Sequence, residues 1–296
     1  MTRHVLSHGG HYLAAIALCL LSVRPLASAA WCRRAPGLAI VAWQALLATV
    51  WLSLIGLALS IAVAPYAKGE LAGLLVLVTN RDGLPSAPQW IALVIAAALT
   101  AAAVVAVLAH AVRSLRARRR HRAALDLVAR VGEHGLSIVE HEAPIAYCLP
   151  GSGGRLVVSS GAVSALDEHQ LLAVALHERA HARERHDLVL LPFVVLERAR
   201  LPLAATARRA VGLLVELRAD DHAVAVCGRA IVRQALLRFA TSAPPRAALG
   251  AAVDLEARLQ RLQQPVAPAR RWHVAAVVAV VVTVATTPLS LFVYPV

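Results

Sequence analysis

His177-Glu178-Arg179-Ala180-His181 is the stretch that decides how this 296-residue chain is read. Two histidines at i and i+4 share one face of a helix, so both imidazoles can reach one Zn²⁺ at about 2.0–2.1 Å. The glutamate beside the first histidine then stands next to the metal, placed to take a proton from its water. Chance alone produces such a pattern in about 2% of sequences with this composition, so the surroundings must support it. Just upstream, Asp167 reads as a helix N-cap and Gln170, three residues on, as the closing member of a capping box. Leu171, Leu172, Val174, Ala175 and Leu176 fill the turns before His177, which suits a buried site helix.

A catalytic zinc keeps three protein ligands and one open position, so a third ligand must come from elsewhere. Glu216 is the candidate. It stands at i, i+4 with Asp220 in Glu216-Leu217-Arg218-Ala219-Asp220-Asp221-His222, so one carboxylate can bind the metal while the other orients a ligand histidine. Asp220 is assigned the orienting part. The candidate site is therefore His177, His181 and Glu216 around one Zn²⁺ per chain, Glu178 as catalytic base, and Asp220 behind a ligand. His186 is five residues past His181 and, if the helix continues, points away from the shared face, toward solvent or a place behind the ligands. His222 lies beside Asp220 and stays outside the candidate set.

His-Glu-x-x-His followed some 35 residues later by Glu216 and Asp220 resembles the gluzincin membrane peptidases. Two branches share that pattern: the M56 peptidases, which include the beta-lactam sensor-transducers of resistance regulation, and the housekeeping M48 peptidases. The stretch from Ala146-Tyr147-Cys148-Leu149-Pro150-Gly151 through Val157-Val158-Ser159-Ser160-Gly161 to the zinc motif is similar to actinobacterial members of the first. So is Ala35-Pro36 leading into Trp43-Gln44, and the sequence favours M56. That resemblance implies regulated cleavage of a cytosolic transcriptional repressor. An M48-like quality-control protease for misfolded membrane proteins, or a catalytically silent signalling scaffold, are the alternatives. Few residues follow the last apolar run, so no large extracellular sensor domain is expected, and a signal would enter through the loop Pro65 to Gln89 or through a partner.

Composition independently indicates a membrane protein: 59% of residues are hydrophobic and the mean hydropathy is +0.65. Spans are expected at about 5–23, 38–64 and 90–112, with a fourth, marginal one over Val274 to Val293. The first is read as retained rather than cleaved, since Arg24, Arg33 and Arg34 follow it instead of a cleavage site. Arginines at 33, 34, 113, 116, 118, 119, 120, 122, 270 and 271 flank the spans. The loop Pro65 to Gln89 carries only Lys68 and Arg81 against Glu70 and Asp82. Positive loops stay inside, so the segment between the third and fourth spans is expected in the cytoplasm and the C-terminus outside.

The expected fold is thus a mainly α, multi-pass cell-membrane protein of about four transmembrane helices. Residues 1–112 form the N-terminal membrane region, 113–271 a cytosolic α+β zincin-like metallopeptidase domain, and 272–296 the last helix. Within the domain, strands are expected over Leu136 to Glu140, Ala146 to Leu149 and Leu156 to Ser159, with turns at Ala143-Pro144 and 150–154. Leu156 to Ser159 is the strand expected to hold a protein substrate by edge addition. Gly228 reads as the stop of the second site helix, and Thr241 to Gly250 as a loop before a helix over Leu255 to Leu262. Leu188 to Leu196 is apolar but too short to span and is expected to pack on the core. The formal charge of +13 sits mostly at membrane flanks, where the lipid bilayer accounts for it, so no direct nucleic-acid binding is expected. Cys19, Cys32, Cys148 and Cys227 form no C-x-x-C pair and imply no disulfide framework.

Overall fold

The computed structural model describes residues 2–66, 70–79, 86–132, 136–149, 155–242, 249–263 and 271–293. The turn at 150–154 and the Pro244-Pro245 segment lie outside the described residues. The chain divides into two compact units, one of residues 1–29, 41–111 and 269–296, the other of 30–40 and 112–268.

The first unit is helical because its sequence is long apolar runs in which every backbone group must be satisfied locally. It contains α1 (Thr2–Ser28), and α2 (Ala30–Arg34) follows as a short turn of the second unit. Next come α3 (Pro36–Ala62), α4 (Glu70–Thr79), α5 (Ala87–Val128) and, at the far end of the chain, α11 (Arg271–Val293). Gly9–Ser28, Pro36–Ala62 and Ala87–Val128 are long and apolar enough to cross a membrane. The apolar stretch of α11, Val274–Pro288, is shorter. Ala58 and Leu59 of α3 pack on Ala96 of α5, and the Gln89 side chain donates to the Ala62 carbonyl at 3.0 Å. Two differences from the sequence reading stand out. The expected loop Pro65 to Gln89 contains α4, and α5 runs 42 residues, through the arginines to Val128, because no Gly or Pro interrupts 113–128.

The second unit is built on a four-stranded sheet of β1 (Arg130–Val131), β2 (Ser137–Val139), β3 (Ala146–Leu149) and β4 (Arg155–Ser159), in the order β1-β2-β4-β3. β1 is antiparallel to β2, β2 parallel to β4, and β3 antiparallel to β4. β4 is therefore central and buried, so it cannot take up a substrate as an edge. That position belongs to β3, whose other side no strand occupies among the described residues. The Ser159 amide donates to the Ile145 carbonyl at 2.8 Å, which fixes the alternation: the backbone groups of Tyr147 face β4, and those of Ala146 and Cys148 face outward.

Helices cover both faces of the sheet. Leu156, Val158, Ala146 and Cys148 meet Leu171 and Ala175 of α7 on one face. Val157, Leu149, Val139 and Tyr147 meet Leu125 of α5 on the other. The remaining helices are α6 (Ser160–Ala165), α7 (Glu168–Arg183), α8 (His186–Arg198), α9 (Ala204–Ser242) and α10 (Leu249–Gln263). α7 starts on the expected capping box: Asp167 accepts from the Gln170 amide at 2.9 Å, and the Gln170 side chain accepts in return. Gly161 lets the chain enter α6 under the 141–142 segment, since a Cβ there would stand 1.9 Å from the Glu142 carbonyl oxygen. α8 covers the apolar stretch Leu188 to Leu196 and packs on α9, with Phe193 buried. α9 and α10 close the core through Ala173, Ala223, Val232, Ala235 and Leu262. Gly228, at φ 79° and ψ 159°, is non-helical and divides α9 at a kink into two helices, so the second site helix stops where the sequence reading expects and a further helix follows at once.

Candidate metal centre

Three helices supply the site. α7 carries His177, Glu178 and His181 on successive turns, α9 lies against it and presents Glu216 and Asp220, and α10 reaches across with Arg258. The i, i+4 spacing does what helix geometry requires. His177 Nε2 and His181 Nε2 face one another at 3.1 Å, and Glu216 places Oε2 3.4 Å from the first and Oε1 3.4 Å from the second. Ligands at about 2.0–2.2 Å in tetrahedral array stand about 3.3–3.6 Å apart; both nitrogen-to-oxygen distances fall there, and the two nitrogens stand slightly closer. These three are the only group of its kind among the described residues, with donor atoms all within 4.8 Å. Three lone-pair donors converging on one point would repel unless a cation lay between them. The donor set of two imidazoles and a carboxylate suits zinc.

Asp220 lies behind His177. Its Oδ1 accepts from His177 Nδ1 at 3.0 Å, and the side chain is almost wholly buried. Burial of that charge is offset by Arg258, whose Nε and Nη2 donate to Asp220 at 2.8 and 2.7 Å while Nη1 donates to Glu216 at 2.9 Å. The site therefore gathers three carboxylates against one guanidinium, a balance that a divalent cation would complete. Burial opposes protonation of His177, but hydrogen bonds to Asp220 and Glu216 outweigh it and raise the imidazole to about 9. Burial lowers His181 to about 4. Burial also resists the charge on Glu216 and Asp220, yet the bonds from His177 and the nearby Arg258 hold both carboxyls at about 2. Glu178 differs: burial lifts it to about 7, within reach of proton exchange near neutral pH.

Sequence reasoning missed Arg258. Leu255, Leu259 and Leu262 mark the inward face of α10, and Arg258 lies on that same face at i+3 from the first and i−4 from the last. A charge on a buried stripe needs carboxylates opposite, and that was the available signal. His186 takes the second of the two places expected for it, behind a ligand, and does so because α7 does not continue. It ends at Arg183, Arg185 adopts a left-handed conformation at φ 53° and ψ 47°, and α8 begins by folding His186 back onto His181. Glu184, Arg218 and His222 form a further cluster behind it: Arg218 clamps Glu184 through Nε and Nη2 at 3.1 and 2.9 Å, and His222 Nε2 lies 2.5 Å from Glu184 Oε1. Despite burial, these partners hold the Glu184 carboxyl at about 2.

No curated protein and no solved structure matches the chain. One family model does, that of peptidase family M48, over residues 114–275. It is the second of the two branches that the zinc motif resembles, where the sequence reading favoured M56. The matched segment holds all of α7, α9 and α10, and with them every side chain that converges on the centre. Covering more than half of its length, that match makes this chain a member of peptidase family M48, a metallopeptidase with apolar helices suited to a membrane.

Proposed function

We propose that the chain is an integral-membrane zinc endopeptidase whose catalytic unit faces the cytoplasm. The observation that carries this reading is the convergence of His177 Nε2, His181 Nε2 and the Glu216 carboxylate on one point, with Asp220 bonded behind His177. In this reading those three hold one Zn²⁺. A zinc ion held there would supply Lewis acidity toward the scissile carbonyl and the attacking water. Glu178 takes the proton of the attacking water and passes it to the departing amine. Asp220 keeps His177 in the tautomer that leaves Nε2 free, and Arg258 keeps Glu216 and Asp220 ionised. The outward backbone groups of Ala146 and Cys148 on β3 hold the substrate chain extended beside α7.

The arginine asymmetry between flanks and the Pro65 to Gln89 loop supports a cytoplasmic catalytic unit and an outer C-terminus. Family membership supports cleavage of unfolded membrane or cytosolic segments. The motif similarities around Ala146 to Gly151 support the second reading, cleavage of one cytosolic repressor.

Detergent-purified wild type and Glu178→Ala, each offered an unfolded generic protein and a candidate repressor, test the proposal. Near-stoichiometric zinc with Glu178-dependent cleavage of the unfolded protein is the expected result. Cleavage confined to the repressor moves the assignment to regulated proteolysis. Absence of zinc after add-back together with absence of cleavage leaves only the scaffold reading.

A further inference from the structure

We infer that His186 is a positioning residue of the metal centre, fixing the tautomer and ring plane of His181 through a relay that ends on Glu184. The inference rests on the zinc reading and deepens it.

His181 turns Nε2 toward His177 Nε2 and Glu216 Oε1, so that nitrogen must keep its lone pair for the cation and the proton must sit on Nδ1. That Nδ1 lies 2.8 Å from Nδ1 of His186. An N–H requires an acceptor, so His186 presents a lone pair at Nδ1 and carries its own proton on Nε2, which faces Glu184 Oε2 at 3.4 Å. Glu184 is held in turn by Arg218 and by His222. Only one assignment of protons satisfies both ends of this chain. The two rings meet nearly edge-on, with centroids 4.7 Å apart and an interplanar angle of 88°, so they do not stack face to face.

A ligating imidazole ordinarily donates its second N–H straight to a carboxylate or carbonyl. His177 does so, to Asp220. For His181 the structure interposes a second imidazole, and the carboxylate stands one step further back. The left-handed turn at Arg185 places that imidazole, and His186 is 3% exposed, so its ring is fixed by packing as well as by its partners.

The test compares full-length wild type, His177→Ala, His186→Leu and His186→Asn in detergent. Zinc dissociation constants are measured by chelator competition, and visible spectra are recorded on the Co²⁺-substituted forms. His186→Leu should weaken zinc binding about 10–100-fold and shift the Co²⁺ bands, while the circular dichroism of the metal-free protein is unchanged. His186→Asn, whose side-chain oxygen stands near the former Nδ1, should recover most of the affinity. Zinc binding by His186→Leu within about threefold of wild type, with an unchanged Co²⁺ spectrum, overturns the inference. Should the leucine variant fail to fold, Glu184→Ala is read in its place: weakened zinc binding supports the relay and unchanged binding overturns it. Wild type that binds no zinc, or His177→Ala that binds it as tightly as wild type, overturns the zinc reading and this inference with it. That outcome is distinct from a wild type that binds zinc beside an indifferent His186 variant.

Discussion

His177 bears a proton near neutral pH when no metal is present, and a metal must displace it. Zinc uptake at pH 7.5 should therefore release about one proton, seen as a binding enthalpy that varies with the ionisation enthalpy of the buffer. A buffer-independent enthalpy contradicts this. The same group sets a stability slope. Its folded value, about 9, lies above the ordinary 6.5, so its contribution is fully present below pH 6.5 and is lost as pH rises through 9. Thermal midpoints of the metal-free protein should fall between pH 7 and 9, and zinc should abolish the fall. Arg258 makes a second case. Arg258→Met leaves the buried Asp220 and the half-buried Glu216 with one cation fewer, which costs roughly 3 kcal/mol. Zinc supplies positive charge at the same place, so it should raise the midpoint more in the variant than in wild type. At this scale the meeting of His177 with His181 was legible because i, i+4 spacing is a local property of one helix. Arg258 and the Glu184 cluster were not, because their partners lie 38 and 34 residues away, where only the fold brings them together.

Among the elements, the kink in α9 and the edge strand β3 carry the consequences that can be measured. Gly228 has open space around it, so Gly228→Ala meets no clash, yet φ 79° with ψ 159° is a conformation that essentially only glycine adopts. The substitution should cost about 1–3 kcal/mol and lower the thermal midpoint; an unchanged midpoint shows that α9 can straighten. On β3, the Cys148 amide faces away from β4, so Cys148→Pro removes no bond of the sheet. It should raise KM for protein substrates with little change in thermal midpoint, whereas Tyr147→Pro breaks the β3–β4 ladder and should unfold the unit. A KM unchanged in a folded Cys148→Pro protein rules out substrate pairing at this edge. The sequence displayed β3 and the α7 capping box plainly, since strand alternation and caps are read within a few residues. It could not order the strands. β2 pairs with β4 across the whole of β3, and that long-range pairing, not any property of Leu156 to Ser159, places β4 inside the sheet.

For the molecule as a whole, composition picked out helices long and apolar enough to cross a membrane because a bilayer demands about 20 apolar residues in a row. It could not set where helices end, as α5 shows by running on through its arginines. Orientation is open to direct test: a C-terminal fluorescent fusion that folds only in the cytoplasm should stay dark, and an alkaline phosphatase fusion at the same place should be active. Bright fluorescence reverses the proposed topology. As the proposed substrate edge, the outward amides of β3 also bear on what the enzyme would act upon. A strand edge recognises main-chain atoms, which every polypeptide has, so choice turns on whether a segment can be lent to it and hardly on which residues that segment carries. A tightly folded neighbour has no segment to lend, and the same neighbour, once partly unravelled, does. Its lifetime then tracks the free energy of its own local opening. A mutation that loosens a target would shorten that lifetime without creating or removing any cleavage motif.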